Sequence, residues 1–180
     1  MADLVTNDEV NAYLGTSGVD YSTEIKRASR RVEGKIGPVI YTSYTEKHDG
    51  GYDRFLLNYS PLKTGSVAIT DNETGQTVDS DEYIEDESGV VYKKGGVWAV
   101  GRNRFTVTYQ AGRVPDTASV PEDIKEATLL LIKAAQSGGT SVVVKAKRIG
   151  SWSEEYDTSK GGSAADEVDE ILAPYMGVGI

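Results

Sequence analysis

Apolar residues recur at helical spacing along the first part of the chain and predict two helices. Thr6 and Glu9 form a capping-box pair, with a valine on either side at the positions of a hydrophobic staple, so a helix is expected from Asn7 to Leu14. A second helix is expected to begin at Asp20 or Ser22 as N-cap and to end at a Gly-Pro pair. Its apolar stripe consists of Ile25, Ala28, Val32 and Ile36.

The pattern changes from helical to alternating between Tyr41 and Gly112, which predicts strands. Phe105, Val107 and Tyr109 share one face of the last strand while threonines occupy the other, as in a half-buried strand. Runs rich in Gly, Asp and Asn separate the segments and predict turns at 71–75, 87–89, 95–96 and 101–103. The expected strands are Phe55 to Tyr59, Ser66 to Thr70, Tyr83 to Glu85, Val90 to Tyr92, Val97 to Val100 and Phe105 to Tyr109.

Helical spacing returns after the strands. Pro121 stands at the expected first position of a third helix, where Glu122 and Asp123 favour the positive end of the helix dipole. A strand-like stretch from Ser141 to Ala146 follows, and Ser163 is the expected N-cap of a last helix. The apolar stripes are Ile124, Ala127, Leu131 and Ala135 in the third helix, and Val168, Ile171 and Leu172 in the last.

This order of elements predicts an α+β fold. We expect a small helical bundle formed by the N- and C-terminal helices, with an inserted antiparallel β subdomain. The expected boundaries are residues 1–40 and 115–180 for the helical body with an extended C-terminal tail, and residues 41–114 for the β subdomain. A chain of 180 residues is long enough to bury a core without a metal or a disulfide.

Composition and charge exclude several classes of function. The absence of Cys removes thiol nucleophiles, Cys-ligated metals and disulfides, and a single His excludes any site that needs two imidazoles in one chain. The net charge of −9 disfavours tight wrapping of nucleic acid, which requires a basic face. No apolar run is long enough to span a membrane, and the N-terminus lacks the pattern of a signal peptide, so the protein is expected to stay where it is made.

The remaining candidates for chemistry are weak. His48 lies in a polar segment without apolar neighbours and is interpreted as a solvated loop residue rather than a general base. The acidic run from Asp71 to Glu82 resembles a calcium loop, but Gly75 is one position early for the sharp turn, which favours an acidic hairpin loop. Nucleotide-binding glycine motifs and a nucleophile elbow are missing. We therefore predict no catalytic residue, no metal and no cofactor.

Aromatic residues favour a binding role. The chain contains 11 Tyr, a residue suited to surfaces that become buried on association. Trp152, Tyr156 and Tyr175 lie on a polar tail interrupted by glycines, which has too few apolar residues to bury them alone. Such a tail is expected to become ordered against a neighbour.

Three parts of the chain together share the pattern of one family. They are the opening from Leu4 to Leu14, the run from Phe105 to Gly112 followed by Val120 to Ala127, and the tail with Arg148 to Ser153 and Ile171 to Tyr175. In these segments the chain resembles the head-tail connector (adaptor) proteins of long-tailed bacteriophages, within the head completion group. The strand, the Ala-Gly turn and the Val-Pro helix start form the most specific piece.

The resemblance implies a structural virion protein of the neck that is not an enzyme. Members of the family form a ring, with a dodecamer as the expected state, that docks beneath the portal protein after DNA packaging. The ring extends the DNA channel and offers a docking surface to a stopper or tail-completion protein. An acidic chain fits a channel through which DNA slides without sequence-specific binding. Assembly is expected in the host cytoplasm, with no membrane involved.

By the same resemblance, the C-terminal segment is the expected contact with the portal. The alternatives are a stopper or tail-completion protein, and a β-rich module that binds sugar or calcium through the loop from Asp71 to Glu82. The predicted interface residues are Arg148, Ile149, Trp152, Tyr156, Ile171, Leu172 and Tyr175.

Overall fold

A computed structural model describes residues 3–137, 147–149, 152–154 and 164–176. The chain divides into two compact units. Gly37–Ser119 form a β unit, and Ala2–Ile36 together with Val120–Ile180 form a helical unit. The predicted α+β class is confirmed, since both units are built from the expected types of element.

The described residues of the helical unit form four α-helices: α1 (Asn7–Leu14), α2 (Ser22–Ile36), α3 (Glu122–Gln136) and α4 (Ala164–Leu172). The predicted capping box at α1 is confirmed, because Glu9 N–H donates to the Thr6 hydroxyl and Thr6 N–H donates to the Glu9 carboxylate. Val5 and Val10, the expected staple, are both buried in the same cluster as residues of α2 and α3. The capping box and the staple, both local in sequence, therefore fix where α1 begins and also how it packs.

The third helix joins the first through an ion pair. Lys125 is only 9% exposed, and its ammonium lies 2.9 Å from Glu9 Oε1. Partial burial acts to raise the pKa of the Glu9 carboxyl, but hydrogen bonds from Thr6 and Lys125 hold that pKa below its usual range. Pro121 is the N-cap of α3, one position before the one predicted.

Two antiparallel sheets form the β unit. The first has the order β1-β7-β3-β4, and the second has the order β2-β6-β5. Their strands are β1 (Thr42–His48), β2 (Arg54–Leu56), β3 (Ala68–Asp71), β4 (Gln76–Thr77), β5 (Tyr83–Asp86), β6 (Val90–Lys93) and β7 (Phe105–Ala111). Both sheets contribute side chains to one buried cluster, which includes Phe55, Ile69, Val91, Trp98 and Val107.

Two features of the β unit differ from the prediction. The expected strand from Val97 to Val100 is wrong: Trp98 pairs through its backbone with Tyr52 and Gly51, and its side chain fills the core. Conversely, β1 is a seven-residue strand in a segment that was not predicted as one. It pairs along its whole length with β7, so a polar sequence becomes a strand because an apolar one lies beside it.

A further antiparallel pair lies in the C-terminal part of the chain. Its strands are β8 (Lys147–Ile149) and β9 (Trp152–Glu154), with Ile149 opposite Trp152. The predicted strand from Ser141 to Ala146 and the predicted N-cap Ser163 lie outside the described residues. In the described part of the chain, none of the helices has the length and apolar character needed to cross a bilayer.

Candidate partner-binding surface

Helix α4 carries two of the predicted interface residues, Ile171 and Leu172, and Tyr175 follows it. The helix packs on the helical unit through its apolar stripe. Val168 and Leu172 are completely buried, whereas Ile171 and Tyr175 are half-buried. Leu172 therefore holds α4 in place within its own chain. Ile171 and Tyr175 retain surface that a partner can reach.

Polar contacts fix α4 at two further points. The Lys35 ammonium lies 2.5 Å from Asp169 Oδ1, and the Tyr175 hydroxyl donates to Asp123 Oδ2 at 2.9 Å. Asp123 is in the first turn of α3, and Tyr175 follows the last turn of α4. The two helices consequently run antiparallel, so the C-terminal end of α3 and the N-terminal end of α4 lie at the same end of the pair.

The other predicted interface residues belong to the segment between α3 and α4, residues 138–163. Arg148 and Ile149 lie in β8 and Trp152 lies in β9, so the backbone pairing brings Ile149 and Trp152 opposite one another. Tyr156 lies outside the described residues. Two residues separate β8 from β9 in the sequence.

A second surface was missed at the level of sequence. Arg27, Arg30 and Arg31 are exposed on α2 and line a groove of about 420 Å³ between α2 and α3. Their spacing of i, i+3 and i+4 places them on one helix face. This spacing is visible in the sequence, whereas the apolar floor that α3 supplies is a tertiary contact that the sequence does not show.

His48 does not occupy the solvated loop that was predicted, and this interpretation is wrong. It is the last residue of β1, and its ring stacks on Phe55 with centroids 5.0 Å apart. Burial lowers the pKa of the imidazole, although Glu46, with Oε2 3.4 Å from Nε2, acts in the opposite direction. The polar segment contains a partly buried His because the apolar contact comes from a different strand.

The hairpin interpretation of the acidic run holds for its first part, from Asp71 to Gln76, which turns between β3 and β4. The rest of the run lies beyond β4, where Ser80–Glu82 form a 3-10 helix. The carboxylates of Asp71, Glu73 and Glu82 have basic partners. Arg104 hydrogen-bonds to both Asp71 oxygens, which holds the pKa of that carboxyl below its usual range, and Glu82 pairs with Lys93. In the described ranges, no group of three or more His, Asp or Glu side chains is arranged to hold a metal ion.

Comparison with known proteins supplies independent information about this fold. A family model described as head completion protein matches residues 3–136. No curated protein matches the sequence. One solved structure with a similar fold is the neck of an empty gene transfer agent particle computed with C6 symmetry. That chain is 15% identical, with a TM-score of 0.65 over 98% of this chain and 91% of that one.

Two more solved structures show the same fold. The neck of the native gene transfer agent particle, computed with C12 symmetry, matches with a TM-score of 0.61 and 15% identity, covering 95% of this chain and 89% of that one. The virion of the native particle matches with a TM-score of 0.64 and 15% identity, covering 98% and 91%. At this identity the likeness concerns the arrangement of the backbone.

Proposed function

The chain belongs to the head completion protein family, and we propose that within it the protein acts as a head-tail connector. In this role it forms a ring beneath the portal after DNA packaging. The ring extends the DNA channel and gives a stopper or tail-completion protein its docking surface. The observation that carries the proposal is the family match, which spans α1, α2, the whole β unit and α3.

The symmetry of the similar structures supports a ring. They are necks computed with C6 and C12 symmetry, in which identical chains surround one axis. Cyclic closure needs two different faces on each copy, which meet head to tail and are related by rotation. We propose the same arrangement for this chain.

Charge supports a channel that does not hold DNA. A net charge of −9 repels phosphate, so a ring of such chains lets DNA pass instead of retaining it by counterion release. The protein then acts as a structural component, and it functions through its contacts with neighbouring proteins.

We place the portal contact in the segment between α3 and α4, residues 138–163. Arg148, Ile149, Trp152 and Tyr156 form its proposed contact set, and Ile171, near the C-terminal end of α4, and Tyr175, just beyond α4, form a second proposed contact. The backbone pairing of β8 with β9 places Ile149 opposite Trp152. Aromatic and Arg side chains are the residue types that most often dominate interface energies.

The proposal is tested with DNA-filled, tailless particles that carry the portal of the phage encoding this chain. Mass photometry and electron microscopy measure how many copies load onto each particle. Truncating the chain after Gly150 would also remove the buried residues Val168 and Leu172. The sharper variant is therefore Ile149→Ala with Trp152→Ala, which leaves α4 intact.

We expect the wild type to load as a ring of fixed stoichiometry and the double variant to lose loading. Tyr52→Ala, an exposed aromatic truncation in the β unit, is the matched control and should load normally. Absence of wild-type loading would contradict the connector role. Loading only onto particles that already carry another neck ring would assign the chain to the stopper class instead.

A further inference from the structure

Helix α2 concentrates positive charge on an otherwise acidic chain. Lys26, Arg27, Arg30 and Arg31 are all exposed and follow one another along a single helix face. The side chains of the three arginines make no ion pair or hydrogen bond with any residue that the structure describes. The whole chain has a net charge of −9, yet no carboxylate of the described residues pairs with these three arginines.

The arginines surround an apolar groove. Ala28 on α2, with Leu131, Ile132 and Ala135 on α3, forms its floor, and Glu24 adds one carboxylate to the rim. Leu131 and Ala135 keep exposed surface. A groove with an apolar floor and charged edges fits a protein segment that supplies both apolar contact and opposite charge.

Helix α4 presents the complementary chemistry. It contains Asp166, Glu167, Asp169 and Glu170 and has no basic residue. Asp169 is used within the chain by Lys35, and Val168 faces the core. Glu167 and Glu170, three residues apart and exposed, lie on the outward face. The helical unit thus carries a basic groove and a separate acidic helix face.

We propose that the groove between α2 and α3 receives the outward face of α4 from a second copy of the chain, forming the head-to-tail contact of the ring. The inference rests on the proposed function for the existence of the ring and identifies the two surfaces that close it. Opposite charges select the partner face and its orientation, while the apolar floor provides the contact that becomes desolvated. Repeating one such heterologous contact by rotation closes a ring.

DNA is the competing occupant of an arginine stripe. A phosphate backbone makes no use of the apolar floor, and Glu24 on the rim opposes it. The acidity of the chain as a whole also disfavours an approach to DNA. A second copy satisfies both the charge and the apolar surface, so the observations favour it.

Cysteine cross-linking tests the contact directly, because the chain contains no Cys. Arg30→Cys and Glu170→Cys variants are mixed in equal amounts, loaded onto the particles and oxidised. We expect covalent dimers in the mixture and none with either variant alone, since each copy then carries only one of the two facing positions. Lys94→Cys, an exposed position in the β unit, replaces Arg30→Cys in the control mixture and should yield no dimers.

Charge reversal supplies a second test. Arg27→Glu with Arg30→Glu, and separately Glu167→Arg with Glu170→Arg, should each raise the concentration for half-assembly about tenfold or more. All four changes in one chain should restore assembly to near the wild-type concentration. The control is Lys94→Glu with Arg102→Glu, which changes the net charge by the same amount as the first variant at exposed sites of the β unit. Circular dichroism and thermal unfolding check that every variant is folded.

The possible outcomes separate this inference from the connector role. Normal assembly of both reversed variants, with wild-type rings present, would overturn the contact and leave the connector role standing. Cross-linking between free copies without loading onto particles would support the contact and contradict the connector role. Unaltered rings together with loss of DNA binding in Arg27→Glu, Arg30→Glu would assign the stripe to DNA and overturn the contact.

Discussion

At the scale of single residues, the Tyr109 hydroxyl ties three segments of the β unit together. The side chain is completely buried, and its hydroxyl donates to Glu46 on β1 and accepts a hydrogen bond from Tyr59 N–H at 3.3 Å. Glu46 also accepts from Asn58 N–H at 3.3 Å. Burial and the adjacent carboxylate both raise the pKa of Tyr109, so the hydroxyl remains a donor at all ordinary pH values.

Tyr109→Phe should therefore destabilise the protein although it removes a single atom. The Glu46 carboxylate and the Tyr59 N–H both lose a partner in a partly buried place, which costs about 1–3 kcal/mol. Urea unfolding followed by circular dichroism measures the change. Tyr52→Phe, at a side chain that is 65% exposed, is the control and should change stability by less than about 0.5 kcal/mol. Equal stability of the two variants would contradict the role assigned to Tyr109.

His48 gives the β unit a defined dependence on pH. Because burial lowers its pKa in the folded chain, the unfolded chain binds a proton more readily, at about pH 6.5. The free energy of unfolding should therefore fall as the pH drops below about 6.5, down to the pKa of the folded state. His48→Gln should remove this part of the dependence.

The His48 prediction is checked by an NMR titration of the imidazole. With one His in the sequence, the imidazole resonance needs no assignment among alternatives. We expect a midpoint below 6.5, and a midpoint at or above that value would refute the assignment. Thermal unfolding of wild type and His48→Gln at pH 7 and pH 5.5 shows whether the titration affects stability.

At the scale of elements, the sequence predicted an element correctly where the contacts that define it lie within its own segment. Helix α1 was predicted with its correct bounds because Thr6, Glu9 and a Gly C-cap lie within its own segment. Strand β1 was not predicted, since Tyr44 is its only large apolar residue and its pairing partner β7 lies about sixty residues later. Trp98 was assigned to a strand because buried loops and strands share apolar residues.

The candidate partner-binding surface likewise depends on contacts that are not local in the sequence. The spacing of Val168, Ile171 and Leu172 predicted a helix with an apolar stripe, and α4 is that helix. Spacing alone does not reveal whether a stripe faces the same chain or a partner. Packing against α2 and α3 decides this for Val168 and Leu172, which are buried, whereas the partner contacts of Ile149 and Trp152 stay a prediction.

Gly50 lies where the end of β1 closely approaches the segment before β7. Its N–H donates to Gly101 O at 2.8 Å, and an added Cβ would lie 1.7 Å from the backbone oxygen of Ala99. Gly50→Ala must separate the two segments and should cost about 1–3 kcal/mol or more. Gly96→Ala, where an added Cβ meets nothing within 4 Å, should be nearly neutral in the same thermal unfolding experiment. Similar losses in both variants would argue against a close approach at Gly50.

At the scale of the whole molecule, the charges form an uneven distribution that bears on assembly. A net charge of −9 makes copies repel one another, whereas the arginines of α2 and the acids of α4 attract. Salt screens both effects, because the Debye length falls from about 30 Å at 0.01 M to about 8 Å at 0.15 M. Added salt therefore weakens both the repulsion between whole chains and the attraction between α2 and α4. A variant with neutral residues at the attracting positions separates the two effects.

The comparison uses wild type and a variant with Gln at positions 27, 30, 167 and 170. The wild type should assemble at lower concentration than the variant in low salt, and this advantage should shrink as NaCl is raised. Light scattering or mass photometry across a salt series measures both half-assembly concentrations. An advantage that is absent in low salt, or that stays constant across the series, would count against an electrostatic contact between copies.

The antiparallel course of α3 and α4 has a mechanical consequence. Any force on residues 138–163 is divided between the C-terminal end of α3 and the N-terminal end of α4, which are both part of the same unit. Pulling along the two helices then shears them against the rest of the helical unit, where the Lys35–Asp169 ion pair between α2 and α4 and the Lys125–Glu9 ion pair between α1 and α3 must break together. Such an attachment divides the load among several contacts, so no single contact bears the whole strain.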